Sequence, residues 1–213
     1  SLLLSLLFVN CNSDNSQPDL IISESMYFPP KTTDTWETKY IADLGWKQTA
    51  VQSLLDYLNL KKSKGFIILV NGRIVMENYF NGHTASTNWY WASAGKTLTT
   101  TLTGIAQQEG LLNINNKVSD YIGTSWTSAP LAKENLITNK HLLTMTSGIE
   151  DIANGDAVDP ASLTYKADAG TRWAYHNVYV KLQDVIAKAS GQSWSNYFNT
   201  KLRDKIGMSG AWI

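Results

Sequence analysis

Cysteine occurs once in the 213 residues, at Cys11, which excludes an internal disulfide. The three histidines, His83, His141 and His176, lie far apart and in no zinc-ligand spacing. No phosphate-cradling glycine loop and no dinucleotide fingerprint is present, so neither a metal nor a cofactor is expected. Charge of one sign is also lacking: 18 basic and 18 acidic residues give a formal net charge of zero, with no long run of either. That balance leaves no electrostatic footprint for nucleic acid or an anionic membrane surface. What the chain does have is apolar material, 43% of its residues with eight tryptophans and ten tyrosines. This is enough to bury a sizeable core, as one domain or one plus part of another.

Residues 1–9 are apolar but too short to span a bilayer, and read as the hydrophobic stretch of an export signal. Cys11 and the polar run after it make the segment resemble a bacterial lipoprotein signal, in which the cysteine is lipidated and anchors the chain to a membrane. An ordinary secretory signal with an incidental cysteine is the alternative. Either places the protein outside the cytoplasm, in the periplasm or cell envelope. Residues 12–34, with Pro18, Pro29 and Pro30, read as a tether. The chain opens on Ser1 and closes soon after Gly210, and reads as a fragment lacking residues at both ends. The expected organisation is thus a signal remnant at 1–11, a tether at 12–34 and one partial domain at 35–213.

Within that domain, Val51, Leu54, Leu55 and Leu58 form the i, i+3, i+4, i+7 stripe of an amphipathic helix over 47–60. Two apolar runs, 66–70 and 73–80, flank Asn71-Gly72, the favoured two-residue hairpin turn. A two-stranded hairpin is marginal by itself, and no later run of similar quality follows, so its partner strands are expected beyond Ile213. The remainder reads as helices near 137–146, 177–189 and 193–202, separated by loops, with 151–169 wholly loop.

Chemistry is suggested by Ser93 and Lys96. Three residues apart on a helix, they share a face, so an amine can reach a hydroxyl and activate it as a nucleophile. With 19 serines and 15 lysines, roughly one such match is expected by chance, though this is the only one in the chain. Its setting adds weight: Trp89-Tyr-Trp91 leads into it, and a small-residue helix carrying Leu98, Leu102, Ile105 and Ala106 follows. The plain structural explanation makes Ser93 an N-cap and Lys96 a solvated side chain. Lysine in a first turn opposes the helix dipole, however, and burial there would favour the neutral amine that a base requires. An α/β-hydrolase-type esterase is a second reading, but Trp91-Ala-Ser-Ala-Gly95 has tryptophan where the sharp elbow needs glycine.

Four segments in order carry a family resemblance from about residue 60 to Ile213. They are Trp91-Ala-Ser-Ala-Gly-Lys-Thr97, Gln108-Glu-Gly-Leu-Leu-Asn-Ile114, the run from Ile137 to Ile149, and Ala169-Gly-Thr-Arg-Trp-Ala-Tyr-His-Asn177. Together they resemble the serine β-lactamase and penicillin-binding protein superfamily, in the branch of class C β-lactamases, DD-peptidases and related esterases. The resemblance implies an α/β (α+β) fold: an antiparallel sheet begun by the hairpin, the Ser93 helix against it, and a helical lobe over about 111–204. It also implies that Ser93 attacks a carbonyl, Lys96 takes its proton, Tyr175 shuttles the proton and Asn177 orients Lys96 and the substrate's amide. Tyr-x-Asn occurs four times, but only Tyr175-His-Asn177 lies in a loop 82 residues beyond Ser93.

Departures from the family pattern are Met145 in place of histidine, Ala169 in place of proline, and the lack of a Lys-Thr-Gly or histidine-containing third element. The last of these implies a fragment impaired in catalysis. The function implied for the intact protein is a monomeric serine hydrolase forming an acyl-enzyme on a β-lactam, a peptidoglycan-like D-Ala peptide or a small ester. A penicillin-recognising or wall-binding lipoprotein without turnover is the alternative, as is one that keeps the fold alone.

Overall fold

The computed structural model describes residues 25–33, 35–153 and 155–212. The signal segment, Cys11 and most of the tether lie outside the described residues. The chain divides into two compact units, 1–87 and 88–213.

In the first unit, helix α1 (Val51–Leu60) follows a short 3-10 turn at Gln48–Ala50. Its half-buried positions are Val51, Leu54, Leu55 and Leu58, the stripe read from the sequence, while the positions between them are exposed. Strands β1 (Gly65–Val70) and β2 (Arg73–Tyr79) form the antiparallel hairpin, with Val70 opposite Arg73 and an irregularity between Ile68 and Leu69. Both turn residues take positive φ, 50° at Asn71 and 81° at Gly72. Glycine is required at the second for a further reason: a Cβ there would lie 1.9 Å from the Tyr27 carbonyl oxygen. The far edge of β2 is covered from upstream. Ile74 donates to Glu37 O and Lys39 donates to Ile74 O, at 2.9 and 2.8 Å, around a parallel bridge at Thr38. The expectation that every partner of the hairpin would lie downstream is corrected here, because a non-alternating segment can still offer its backbone groups to an open strand edge.

The second unit is helical. Its elements are α2 (Gly95–Gln108), α3 (Ser119–Ile122), α4 (Leu131–Glu134), α5 (Asn139–Leu143), α6 (Lys181–Ser190), α7 (Trp194–Phe198) and α8 (Asp204–Ile206). Helix α2 buries Gly95, Thr99, Leu102, Thr103 and Ala106, a single stripe at helical spacing. Facing it, α6 contributes Leu182, Val185 and Ile186, each fully buried, and α7 adds Tyr197 and Phe198. At roughly 1.5–3 kcal/mol per large apolar side chain, this cluster is the main source of the unit's stability.

Helix ends follow their local chemistry. Thr138 and His141 form a reciprocal capping box on α5, Ser193 caps α7, and Gly191 ends α6 in the left-handed conformation. Two helices read as continuous are composite: 177–180 is a 3-10 turn before α6, and 199–203 is a π-turn between α7 and α8. No helix among the described residues is long and apolar enough to cross a membrane.

Candidate active site

Ser93 sits in a 3-10 turn, Ala92–Ala94, closed by Ala94 N–H to Trp91 O at 3.0 Å and leading into α2. Ala92 has φ of 45°, a conformation that costs a residue with a Cβ about 1–2 kcal/mol. Strain of this kind persists where the surroundings over-determine it, here immediately before the candidate nucleophile. Ser93 is exposed and makes no capping bond to α2, whose N-cap position is Ala94. The plain N-cap explanation of Ser93 therefore fails, and its hydroxyl is left for other partners.

Lys96 occupies the first turn of α2, which carries no acidic residue, and is half-buried rather than buried. Its Nζ lies 3.3 Å from Ser93 Oγ and 3.3 Å from Asn177 Oδ1, donating toward both. The same Nζ stands 5.1 Å from the centre of the Tyr175 ring. Ser93, Tyr175 and Asn177 thus meet at the Lys96 amine from distant points of the chain. The Ser93 hydroxyl, and after it the Lys96 amine, hold the Tyr175 phenol below its ordinary pKa, against the opposing effects of desolvation and of Asp156.

The segment carrying Tyr175 is fastened from behind. Gly170 N–H donates to Thr146 O at 2.8 Å and Ala174 N–H donates to Met145 O at 2.9 Å. These bonds use the backbone, which is why methionine serves at 145; its side chain packs against the core. Ala169 packs there too, so the loop is held without a proline. Extended backbone at His176 sends successive side chains to opposite sides. Tyr175 is 51% exposed while His176 is 4% exposed, and burial lowers the His176 pKa. His176, rather than Asn177, caps the following turn, its Nδ1 accepting from Val178 N–H at 3.0 Å. Asn177 is thereby free to face Lys96, and Tyr175 stands exposed beside it.

Tyr179 and Asp156 escaped the sequence reading. Tyr179, 2% exposed, donates from its hydroxyl to Lys96 O at 3.0 Å, and Thr100 Oγ1 donates to the same oxygen at 2.9 Å. The two hydroxyls also touch each other. Asp156 Oδ1 accepts from Asn177 Nδ2 at 2.8 Å. Neither carried a local signal, since a tyrosine in an apolar turn and an aspartate in a polar loop are ordinary. An α/β-hydrolase elbow is not built here, because residues 80–91 contain no strand leading into Ser93. No cluster of three or more metal-binding side chains occurs among the described residues.

Comparison with known families matches residues 62–213 to the β-lactamase model. The chain belongs to the β-lactamase family. Solved β-lactamase-like structures agree on the fold. A class C β-lactamase mutant is 22% identical, with TM-score 0.63, over 79% of this chain and 51% of its own. The octameric penicillin-binding protein homologue from Pyrococcus abyssi is 21% identical, with TM-score 0.62, over 76% and 43%. FmtA from Staphylococcus aureus is 22% identical, with TM-score 0.59, over 84% and 51%. The chain therefore spans about half the length of these β-lactamase-fold proteins. Comparison with curated protein sequences returns no match. The α/β fold expected for the β-lactamase and transpeptidase group, helices with a small antiparallel sheet, is the fold observed.

Proposed function

We propose that the protein is a serine hydrolase that forms an acyl-enzyme at Ser93 on an amide or ester. The observation that carries this reading is Lys96 Nζ at 3.3 Å from both Ser93 Oγ and Asn177 Oδ1, beside the Tyr175 ring. Ser93 Oγ bonds to the acyl carbon, and its proton passes into the Lys96–Tyr175 pair. The lowered phenol pKa favours Tyr175 as the acceptor, with the Lys96 amine stabilising the phenolate. The tetrahedral intermediate then expels an amine or alcohol, which takes that proton. Water, deprotonated by the same pair, cleaves the acyl-Ser93 ester to a carboxylic acid and restores the hydroxyl. The first turn of α2, with its N–H groups and no acidic side chain, lies where negative charge develops.

The test is acylation of the full-length protein by a fluorophosphonate and by a labelled penicillin, with the modified peptide located by mass. Label on Ser93, absent in Ser93→Ala, is expected. A folded protein that stays unlabelled at Ser93 defeats the reading. We also infer export and lipid anchoring at Cys11, from the apolar run that precedes it and the polar run that follows. Metabolic labelling with a radioactive fatty acid, lost in Cys11→Ser, is the expected result.

A further inference from the structure

The carboxamide of Asn177 is engaged on both sides. Its oxygen accepts from Lys96 Nζ at 3.3 Å, and its nitrogen donates to Asp156 Oδ1 at 2.8 Å. Asp156 is exposed, in the loop that precedes the bridge residue Tyr165. Glu150, Asp151 and Asp168 are matched by cations, Lys166 at 2.8 Å and Arg172 and Lys133 both at 2.6 Å, while Asp159 accepts from the Ser162 hydroxyl at 2.7 Å within its own turn. Asp156 also has a neutral hydrogen-bond partner, and that partner is the site residue Asn177. Its negative charge is therefore directed at the site, and it acts on the Tyr175 phenol.

We propose that Asp156 is a specificity-determining residue, selecting acyl donors that carry a protonated amine close to the scissile carbonyl. The inference rests on the acyl-transfer reading above. Asn177 Nδ2 spends one of its two N–H groups on Asp156, so a substrate amide oxygen that takes the other is received beside a carboxylate and gains no charge pairing from it. An ammonium leaves the Asp156–Asn177 bond in place and adds a charge-assisted hydrogen bond to the second carboxylate oxygen. A carboxylate on the acyl group is repelled, which disfavours anionic donors by charge alone. Asp156 thus adds a preference for an amine to a position that Asn177 alone would offer to an amide.

Three p-nitrophenyl esters of alanine test this with the full-length protein: one with a free amine, one N-acetylated and one N-succinylated. The expected order of kcat/KM is free amine, then N-acetyl, then N-succinyl. Asp156→Asn keeps an acceptor for Asn177 Nδ2 and removes only the charge. It should lower the ratio of free-amine to N-succinyl kcat/KM by roughly fivefold, the scale of a charge change at an exposed site. Asp156→Glu should restore much of the ratio, and high salt should compress it in the wild type. Turnover of the esters with a ratio that Asp156→Asn leaves unmoved overturns the proposal and leaves the hydrolase reading standing. Release of p-nitrophenol from none of the three, with Ser93 unlabelled, overturns both.

Discussion

The hydroxyl of Tyr179 donates to the carbonyl oxygen of Lys96 at 3.0 Å, across a separation of 83 residues. That bond joins the backbone of α2, where Lys96 sits, to the turn that opens with Asn177. The bond therefore sets the spacing between the amine and the carboxamide that receives it. Tyr179→Phe keeps the ring in the core and removes the donor. Thermal unfolding should show a loss of about 1 kcal/mol, or a Tm lower by roughly 2–4 °C. Ester hydrolysis should fall further than this small loss of stability explains, through kcat with KM little changed, because Lys96 is no longer held. An unchanged kcat would assign Tyr179 to packing alone.

Tyr175 supplies the pH dependence. Its pKa is lowered by the Ser93 hydroxyl and then by Lys96, so the phenolate form is reached at lower pH than for a free tyrosine. If that form accepts the Ser93 proton, kcat/KM rises with pH through a value below the ordinary tyrosine pKa of about 10. Asp156 works in the other direction, so Asp156→Asn should move this limb to lower pH still. Tyr175→Phe should abolish the limb and cost at least roughly a hundredfold in rate. A pH–rate profile of each variant checks the sign as well as the size.

Gly148 is constrained twice. Its φ is 79°, and a Cβ there would lie 2.1 Å from the Ala167 carbonyl oxygen. The same glycine's carbonyl accepts from Lys166 and Ala167 at 2.9 and 3.0 Å, which ties the 148–150 segment to the loop leading to Gly170. Gly148→Ala is expected to cost about 2–3 kcal/mol, a fall in Tm of roughly 5–10 °C. Acylation of Ser93 should slow with it, as the loop carrying Tyr175 is displaced.

Glu134 is a buried carboxylate, 1% exposed, that accepts from Ser125 N–H, Thr127 N–H and Thr127 Oγ1 at 2.8, 2.8 and 2.7 Å. Truncation in Glu134→Ala orphans three donors and should cost on the order of 3 kcal/mol or more in chemical denaturation. Glu134→Gln keeps one acceptor oxygen and should recover part of that loss. Because these contacts close a turn at 125–127, proteolysis there is a second readout.

Local order was legible residue by residue. The positive φ of Asn71 and Gly72, the half-buried stripe of α1 and the single buried face of α2 all follow from spacings of two to four residues. Where the reading ran helices together, at 177–180 and 199–203, apolar periodicity continues through turns that change from 3-10 to α or from α to π. Period alone does not distinguish those windings. The upstream partner of β2 was likewise invisible, since Glu37 to Lys39 contribute backbone groups and no side-chain pattern.

By itself the sequence determined the hairpin, the helix faces and the placing of Ser93 and Lys96 on one side of a first turn. Those are short-range consequences of backbone geometry, in which residues three or four apart must meet. Tertiary structure alone decided that Tyr175 and Asn177 reach that amine, that His176 turns inward to cap, that Tyr179 holds the Lys96 carbonyl, and that Asp156 claims the far side of Asn177. Each of these closes a long loop or picks one side of an extended segment. The core packing of α2 on α6 is what makes those closures favourable.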